Sequence, residues 1–318
     1  MAETKDGGGR LPDAASGRSS GESSVEAKLH LASFEGSFVP SARPVEARTV
    51  PWFRDREYLV GGWRTASVWR SALVEGVAAA CLIYTSGQTA ATLMSYESKQ
   101  LGSYIGISSA VLLALFIYAT APATGGHINP MITFSSILAG LCPVSRGVLY
   151  MCGQTIGAAL AGGLLTGVWG RERSISVHGG GCFYDPAAMT AGRVFLAEVV
   201  GSFVLLYLSY GVGLDPRQAA LFGPRLGPLL VGVTLGLVSF STSGVAPGYA
   251  GAQMNPARCF AFGIARRDLS DQWIWWFGPA AGSVLLAALY LAIPPHHAGR
   301  EAARAGTKTI PRIRDTGV

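Results

Sequence analysis

Two short stretches that share an Asn-Pro pair decide the fold: GGHINPM at residues 125–131 and GAQMNPARCF at residues 251–260. In each, an Asn-Pro pair opens an apolar run of about ten residues, which is too short to cross a bilayer. Asn is a favoured helix N-cap, and Pro is favoured at the first helical position because its missing N–H is not needed there. The preceding glycines permit irregular backbone. Each stretch therefore predicts a half-helix that begins inside the protein.

Six longer apolar stretches surround these motifs, and each is long enough to span a membrane. They lie near residues 68–90, 103–122, 144–168, 192–212, 227–244 and 272–293. The chain is 49% hydrophobic and only 14% charged, whereas an ordinary soluble domain is roughly 25% charged. Five Cys in 318 residues are too few for a disulfide scaffold. The sequence predicts an all-α membrane protein with six transmembrane helices and two re-entrant half-helices.

Most of the charge lies in two tails. We predict a disordered cytoplasmic N-terminal tail over residues 1–66, a membrane domain over 67–293 and a cytoplasmic C-terminal tail over 294–318. An even number of spans puts both termini on one side, which carries sixteen Lys and Arg against six on the other. The positive-inside bias assigns that side to the cytoplasm. The net charge of +6 is thus a topology signal, and no nucleic-acid partner is expected.

The two halves of the membrane domain, about 67–168 and 191–293, repeat each other. Three landmarks recur in the same order at nearly the same spacing: Glu75 and Glu198 within similar spans, HINP (127–130) and QMNP (253–256), and Gly153, Gln154 and Gly157 against Gly278, Pro279 and Gly282. Each half holds three spans, so the second enters the membrane from the opposite side. This inverted repeat brings the N-termini of the half-helices together near the midplane, where their positive dipole ends repel cations and protons.

The motifs suggest a site at the midplane, formed by Asn129, Pro130, Met131, Asn255, Pro256 and Ala257. Two Asn amides there can donate hydrogen bonds to neutral molecules in single file. Glu75 and Glu198 are carboxylates inside spans, where charged groups are costly. They either accept hydrogen bonds from the irregular loops or couple a secondary transporter to protons or sodium. Their symmetric placement favours structural support, and His127 is expected to order the first loop.

These residues, with the WIWWFGP run at 273–279, resemble the major intrinsic proteins, the aquaporin family. The similarity covers about 67–293. It implies one pore per subunit, a homotetramer, and a role for Arg258 in a narrow outer filter that excludes cations. Met131 departs from the family's usual Ala. Cys259 makes the second motif NPARC, which resembles the X intrinsic proteins of plants and fungi.

The resemblance also implies which residues form the filter. Counting from the motifs gives Ser109, Ser243, Ala252 and Arg258. Each of the two positions within spans, Ser109 and Ser243, can shift by one residue, because the neighbouring Ser108 and Thr242 are also small and polar. Strict water channels narrow this ring with an aromatic residue and a His, and neither occurs at these positions. We therefore expect a passive channel for water, glycerol, urea and hydrogen peroxide that excludes ions and protons. The alternative remains a secondary transporter that uses Glu75 or Glu198.

The remaining expectations concern chemistry, location and the cysteines. No catalytic motif appears in the spans, so no enzyme activity, cofactor or metal is expected, and the family implies the plasma membrane. Cys81 and Cys152 are expected to be small core residues. Cys182, in the loop HGGGCFYDP (178–186), is the odd cysteine that can pair between subunits or react with mercury. Cys259 is expected to pack behind Arg258.

Overall fold

The computed structural model describes residues 52–293, a part of the chain that contains helices and no strand. Short 3-10 turns occur at Trp52–Arg54 and His178–Gly180, and a π-helical turn at Tyr210–Leu214. The α-helices are α1 (Arg56–Val60), α2 (Ala66–Ser95), α3 (Leu101–Thr124), α4 (Pro130–Leu138), α5 (Val144–Trp169), α6 (Arg171–Ser176), α7 (Ala191–Ser209), α8 (Pro216–Ser243), α9 (Pro256–Arg266) and α10 (Gln272–Ala292).

Six of these helices are long and apolar enough to cross a membrane: α2, α3, α5, α7 with its π-helical extension, α8 from Arg225, and α10. All six predicted spans are confirmed, with ends that differ by a few residues. The largest difference is in α2, which continues to Ser95 rather than residue 90. In α8 the backbone breaks at Gly223, whose φ of 69° lies outside the helical region, so the apolar span begins just after it.

The two Asn-Pro motifs begin short helices, as predicted. Asn129 caps α4, and its side chain accepts a hydrogen bond from the Met131 N–H at 2.9 Å. Asn255 caps α9 and accepts from the Arg258 N–H at 3.2 Å. With 9 and 11 residues, α4 and α9 are roughly 14 and 17 Å long at 1.5 Å per residue. Each therefore reaches only about half-way through a hydrocarbon core of about 30 Å.

Glycines allow the helices of each repeat to approach closely. A Cβ on Gly157 of α5 would overlap the carbonyl oxygen of Gly76 on α2. At the equivalent place in the second repeat, a Cβ on Gly282 of α10 would lie 2.7 Å from the Val199 carbonyl oxygen on α7. Small residues at helix crossings are the usual way in which membrane helices gain packing contacts. These glycines thus bring the third helix of each repeat onto the helix that carries the buried Glu.

The folded part begins before the predicted boundary at residue 67. Asp55 caps α1 by accepting a hydrogen bond from the Glu57 N–H at 3.0 Å. Tyr58 is buried, and its hydroxyl donates to the carbonyl oxygen of Ile137 at 2.8 Å, near the end of α4. This short helix therefore braces the first half-helix from outside the bundle. The rest of the predicted N-terminal tail, at 1–51, and the tail at 294–318 lie outside the described residues.

The outward faces of the spans are apolar, as a bilayer requires. Large side chains such as Leu73 and Ile156 are 69% and 71% exposed. Cys81 and Cys152 are also exposed on these faces, so the prediction that they are core residues is wrong. In a membrane span the lipid-facing and protein-facing sides are equally apolar, and apolar surroundings in the sequence therefore do not separate them.

Candidate functional site

A cavity of about 920 Å³ runs through the helix bundle. Its lining includes Gly102, near the start of α3, and Arg146, near the start of α5. Asn129, Asn255 and Arg258 line the same cavity. The two half-helix N-termini and the predicted filter arginine therefore open onto one continuous space.

The six predicted midplane residues divide into two groups. Asn129 and Asn255 line the cavity, whereas the other four are buried beside it: Pro130, Met131, Pro256 and Ala257. The Asn129 Nδ2 donates a hydrogen bond to the Met254 carbonyl oxygen at 2.8 Å, which joins the two motifs directly. Met131 is 1% exposed and packs in one core cluster with Met254 and Ala252. The long Met131 side chain thus fills space behind the cavity wall rather than narrowing the cavity.

Glu75 holds the first irregular loop. Its Oε1 accepts hydrogen bonds from the Thr124 hydroxyl at 2.5 Å and the His127 N–H at 3.0 Å. Its Oε2 accepts from the Ile128 N–H at 2.6 Å and the Gln154 side-chain amide at 2.8 Å. The carboxylate is fully buried, and four donors compensate the cost of its burial.

Glu198 repeats the arrangement in the second half with fewer partners. Its two oxygens accept from the Gln253 N–H at 2.6 Å and the Met254 N–H at 2.9 Å. The residue before each Asn has a left-handed backbone, with φ of 50° at Ile128 and 53° at Met254. This conformation is unfavourable for non-glycine residues and most so for β-branched Ile. It points both backbone N–H groups at the carboxylates, whose hydrogen bonds offset the strain.

His127 contributes to both the loop and the cavity wall. Its Nδ1 lies 3.2 Å from the Thr133 hydroxyl on α4. Its ring meets the edge of Tyr150 at a centroid distance of 5.5 Å. These contacts fit the predicted role of ordering the loop, and the residue also lines the cavity.

All four residues of the predicted filter line the cavity: Ser109, Ser243, Ala252 and Arg258. The adjacent Ser108 and Thr242 do not. The Thr242 hydroxyl instead accepts a hydrogen bond from the Ala252 N–H at 3.0 Å and so fixes the loop. Two aromatic residues that were not among the predicted site residues, Tyr249 and Phe183, also line the cavity. The lining of the cavity is therefore less uniformly small than the four filter positions suggest.

The side chain of Arg258 is held from several directions. Its guanidinium lies over the Phe262 ring, 4.7 Å from the centroid. Its Nη1 donates to the side-chain oxygen of Gln253, a residue inside the quoted motif for which no role was predicted. A Cβ on Gly181 would lie 3.4 Å from Nη2, so the loop between α5 and α7 covers the other side. The arginine is thus fixed against the cavity wall.

That loop is attached to α9 by a disulfide between Cys182 and Cys259, whose Cα atoms are 5.4 Å apart. Both cysteines are fully buried. The expectation that Cys182 pairs between subunits or reacts with mercury is therefore wrong, because its sulfur is already bonded within the chain. Cys259, expected only to pack behind Arg258, is half of a cross-link. A Cβ on Gly179 would overlap the Phe262 carbonyl oxygen, which explains how the loop comes this close.

No metal site accompanies the cavity in the part of the chain that the structure describes: no group of three or more His, Cys, Asp or Glu there can hold an ion. Six spanning helices, two half-helices and one continuous cavity define a membrane channel. The family model described as major intrinsic protein matches residues 62–290, which is most of the chain. The chain belongs to the major intrinsic protein family, the family of the aquaporin channels.

Individual relatives agree with this assignment. The chain is 30% identical over 244 residues to "Probable aquaporin PIP2-6" of Oryza sativa subsp. japonica, covering 73% of this chain and 83% of that protein. It is 32% identical over 232 residues to "Probable aquaporin PIP-type 7a" of Pisum sativum, covering 70% and 78%. Among solved structures, the aquaglyceroporin from Plasmodium falciparum aligns with a TM-score of 0.59 at 16% identity, covering 70% of this chain and 95% of that one. This last likeness concerns the fold alone.

Proposed function

We propose that the protein is a passive channel that conducts water and small uncharged solutes (glycerol, urea and hydrogen peroxide) and excludes protons and ions. One observation carries the proposal: a single cavity passes both capped half-helix N-termini and Arg258. The positive ends of the two half-helices and the fixed guanidinium oppose the passage of cations. The Asn amides and the hydroxyls of Ser109 and Ser243 offer hydrogen bonds to neutral molecules.

The disulfide supports the proposed orientation. Disulfides persist in oxidising compartments and are rare in the cytoplasm. The loop that carries Cys182 lies on the side opposite to both termini in the predicted topology. We therefore place the protein in the plasma membrane, with both termini in the cytoplasm and the Cys182–Cys259 bond on the outer side.

The partners of the protein are water, small neutral solutes, membrane lipid and further copies of itself in a homotetramer. The assignment to the X intrinsic proteins stays a prediction that rests on Cys259.

The alternative of a secondary transporter requires a carboxylate that exchanges its partners during each cycle. Glu75 accepts four hydrogen bonds, from the last residue of α3, from two loop residues and from α5. Glu198 accepts two from backbone N–H groups of the second loop. Four of these six donors are backbone N–H groups of the loops that lead into the half-helices, which supports fixed structural roles. A sodium or pH gradient should accordingly fail to drive uphill uptake of any solute into vesicles, and gradient-driven accumulation would establish the transporter instead.

Reconstitution into liposomes tests the channel directly. Stopped-flow light scattering measures vesicle shrinkage after a step in sorbose, which reports water flux, and reswelling after a step in glycerol, which reports solute flux. We expect both to exceed those of empty liposomes. Ser109→Trp should reduce them severalfold, because Ser109 lines the cavity. The exposed Ser67→Trp, at the start of α2, is the matched control. Flux of water and glycerol no faster than in empty liposomes would refute the proposal.

A further inference from the structure

Among the contacts that hold Arg258, the side-chain hydrogen bond comes from one neutral residue, Gln253. Gln253, 8% exposed, reaches the guanidinium through its Oε1. Its Nε2 donates to the carbonyl oxygens of Ala250 at 3.2 Å and Gly251 at 2.8 Å. Because both carbonyls attract the amide nitrogen, the carboxamide has only one favourable orientation, with its oxygen toward Arg258. The side chain thus connects the loop backbone to the charged group of the outer pathway.

The neutrality of this partner is important for the electrostatics of the cavity. A carboxylate bonded to Arg258 would cancel most of the guanidinium's field at the cavity, whereas an amide oxygen accepts the hydrogen bond and leaves the net charge in place. Within residues 52–293 no carboxylate forms an ion pair with Arg258. The neighbouring Glu198 already accepts the backbone N–H groups of Gln253 and Met254. The arginine is therefore fixed in position without being neutralised.

We infer that Gln253 is a specificity-determining positioning residue: it fixes the guanidinium of Arg258 at the cavity wall while preserving its charge, and so maintains the exclusion of protons and cations. The inference rests on the proposed channel function. It gives Gln253 two separable properties, an acceptor that immobilises Arg258 and a zero charge that leaves the field intact. Substitutions can remove them one at a time.

Two variants separate these properties. Gln253→Met keeps the length of the side chain and removes the acceptor. Gln253→Glu keeps an acceptor and adds a negative charge. Gln88→Met is the matched control, because Gln88 is a partly buried glutamine that bonds Tyr84 and Trp169 away from the cavity.

The first readout is independent of transport. Phenylglyoxal modifies accessible guanidinium groups, and peptide mass spectrometry gives the modification rate at Arg258 itself. A hydrogen bond to a charged group is strong enough that its loss should raise the rate roughly tenfold or more in Gln253→Met. Gln253→Glu and Gln88→Met should react like the wild type. An unchanged rate at Arg258 in Gln253→Met would overturn the positioning role, whether or not the wild type conducts water.

The second readout is proton entry into liposomes that contain a pH-sensitive dye, driven by a potassium diffusion potential. We expect proton entry in both Gln253 variants and none in Gln88→Met or the wild type. Water flux in the same vesicles distinguishes the two failures. A wild type that conducts no water refutes the proposed function. A wild type that conducts water, with both Gln253 variants remaining proton-tight, refutes the inference alone. If Gln253→Glu fails to fold, Gln253→Met decides both readouts.

Discussion

Replacing each buried carboxylate by its amide should destabilise the two repeats unequally. Each Glu75 oxygen accepts two hydrogen bonds, whereas each Glu198 oxygen accepts one. In Glu75→Gln two of the four hydrogen bonds lose their charged acceptor and the other two meet an NH₂ group, whereas in Glu198→Gln each of these numbers is one. Hydrogen bonds to charged groups contribute about 1.5–3 kcal/mol each. The expected cost is therefore about 3–6 kcal/mol for Glu75→Gln and about half of that for Glu198→Gln.

Thermal stability in detergent measures this difference. At roughly 2–4 °C per kcal/mol for a domain of this size, Glu75→Gln should lower the melting temperature by about 6–24 °C, and Glu198→Gln by about half as much. Fluorescence-detected size-exclusion chromatography after a temperature series gives the melting temperature of each variant and of the wild type. Glu172→Gln, which changes an exposed carboxylate in α6, should leave the melting temperature unchanged.

Two results would refute this reasoning. An equal or larger loss of stability in Glu198→Gln would mean that the count of hydrogen bonds does not set the cost. A Glu75→Gln variant with the wild-type melting temperature but no solute flux would mean that the carboxylate acts on the transported species. That second outcome is the behaviour of the secondary transporter rather than of the channel.

Three further changes have definite expected outcomes. Gly157→Ala should abolish the monodisperse peak in size-exclusion chromatography because its Cβ overlaps a backbone oxygen, whereas Gly163→Ala has nothing within 4 Å and should fold; equal yields would contradict the packing argument. Cys182→Ser should lower the melting temperature, because the disulfide to Cys259 closes a separation of 77 residues, which contributes about 4 kcal/mol in the chain-entropy model; added reductant should not lower it further. Arg258→Val should raise potential-driven proton entry while water flux persists, and a proton-tight variant would show that the half-helices suffice for exclusion.

Much of the fold could be predicted because its signals are local. The length of an apolar run, an Asn followed by Pro and a repeated Glu each depend on a few neighbouring residues. The spans, the capped half-helices and the inverted repeat followed from them. Asn129 and Asn255 line the cavity because the same residues that cap the half-helices lie at the point where the two repeats meet.

The rest depends on contacts between distant parts of the chain. Nothing local to Cys182 or Cys259 indicates a bond across 77 residues. The role proposed for Gln253 requires knowing that the backbone of its loop turns carbonyl groups toward the side chain. Tyr58 lies in a charged stretch of the predicted tail, and only the tertiary structure places it beneath α4. The residue type limits the interactions that these side chains can make, and tertiary packing decides which of those interactions form.

The hydrogen bond between the two motifs has a consequence for how the chain is made. Asn129 donates to a carbonyl oxygen 125 residues later in the sequence, and Ser283 donates to Met131 across 152 residues. When α4 leaves the ribosome, neither partner has been synthesised. The first repeat must therefore remain in the membrane without these two hydrogen bonds until the last helix is inserted. Completion of the midplane is a late event of biogenesis, and a truncated first half lacks the contacts that finish its own half-helix.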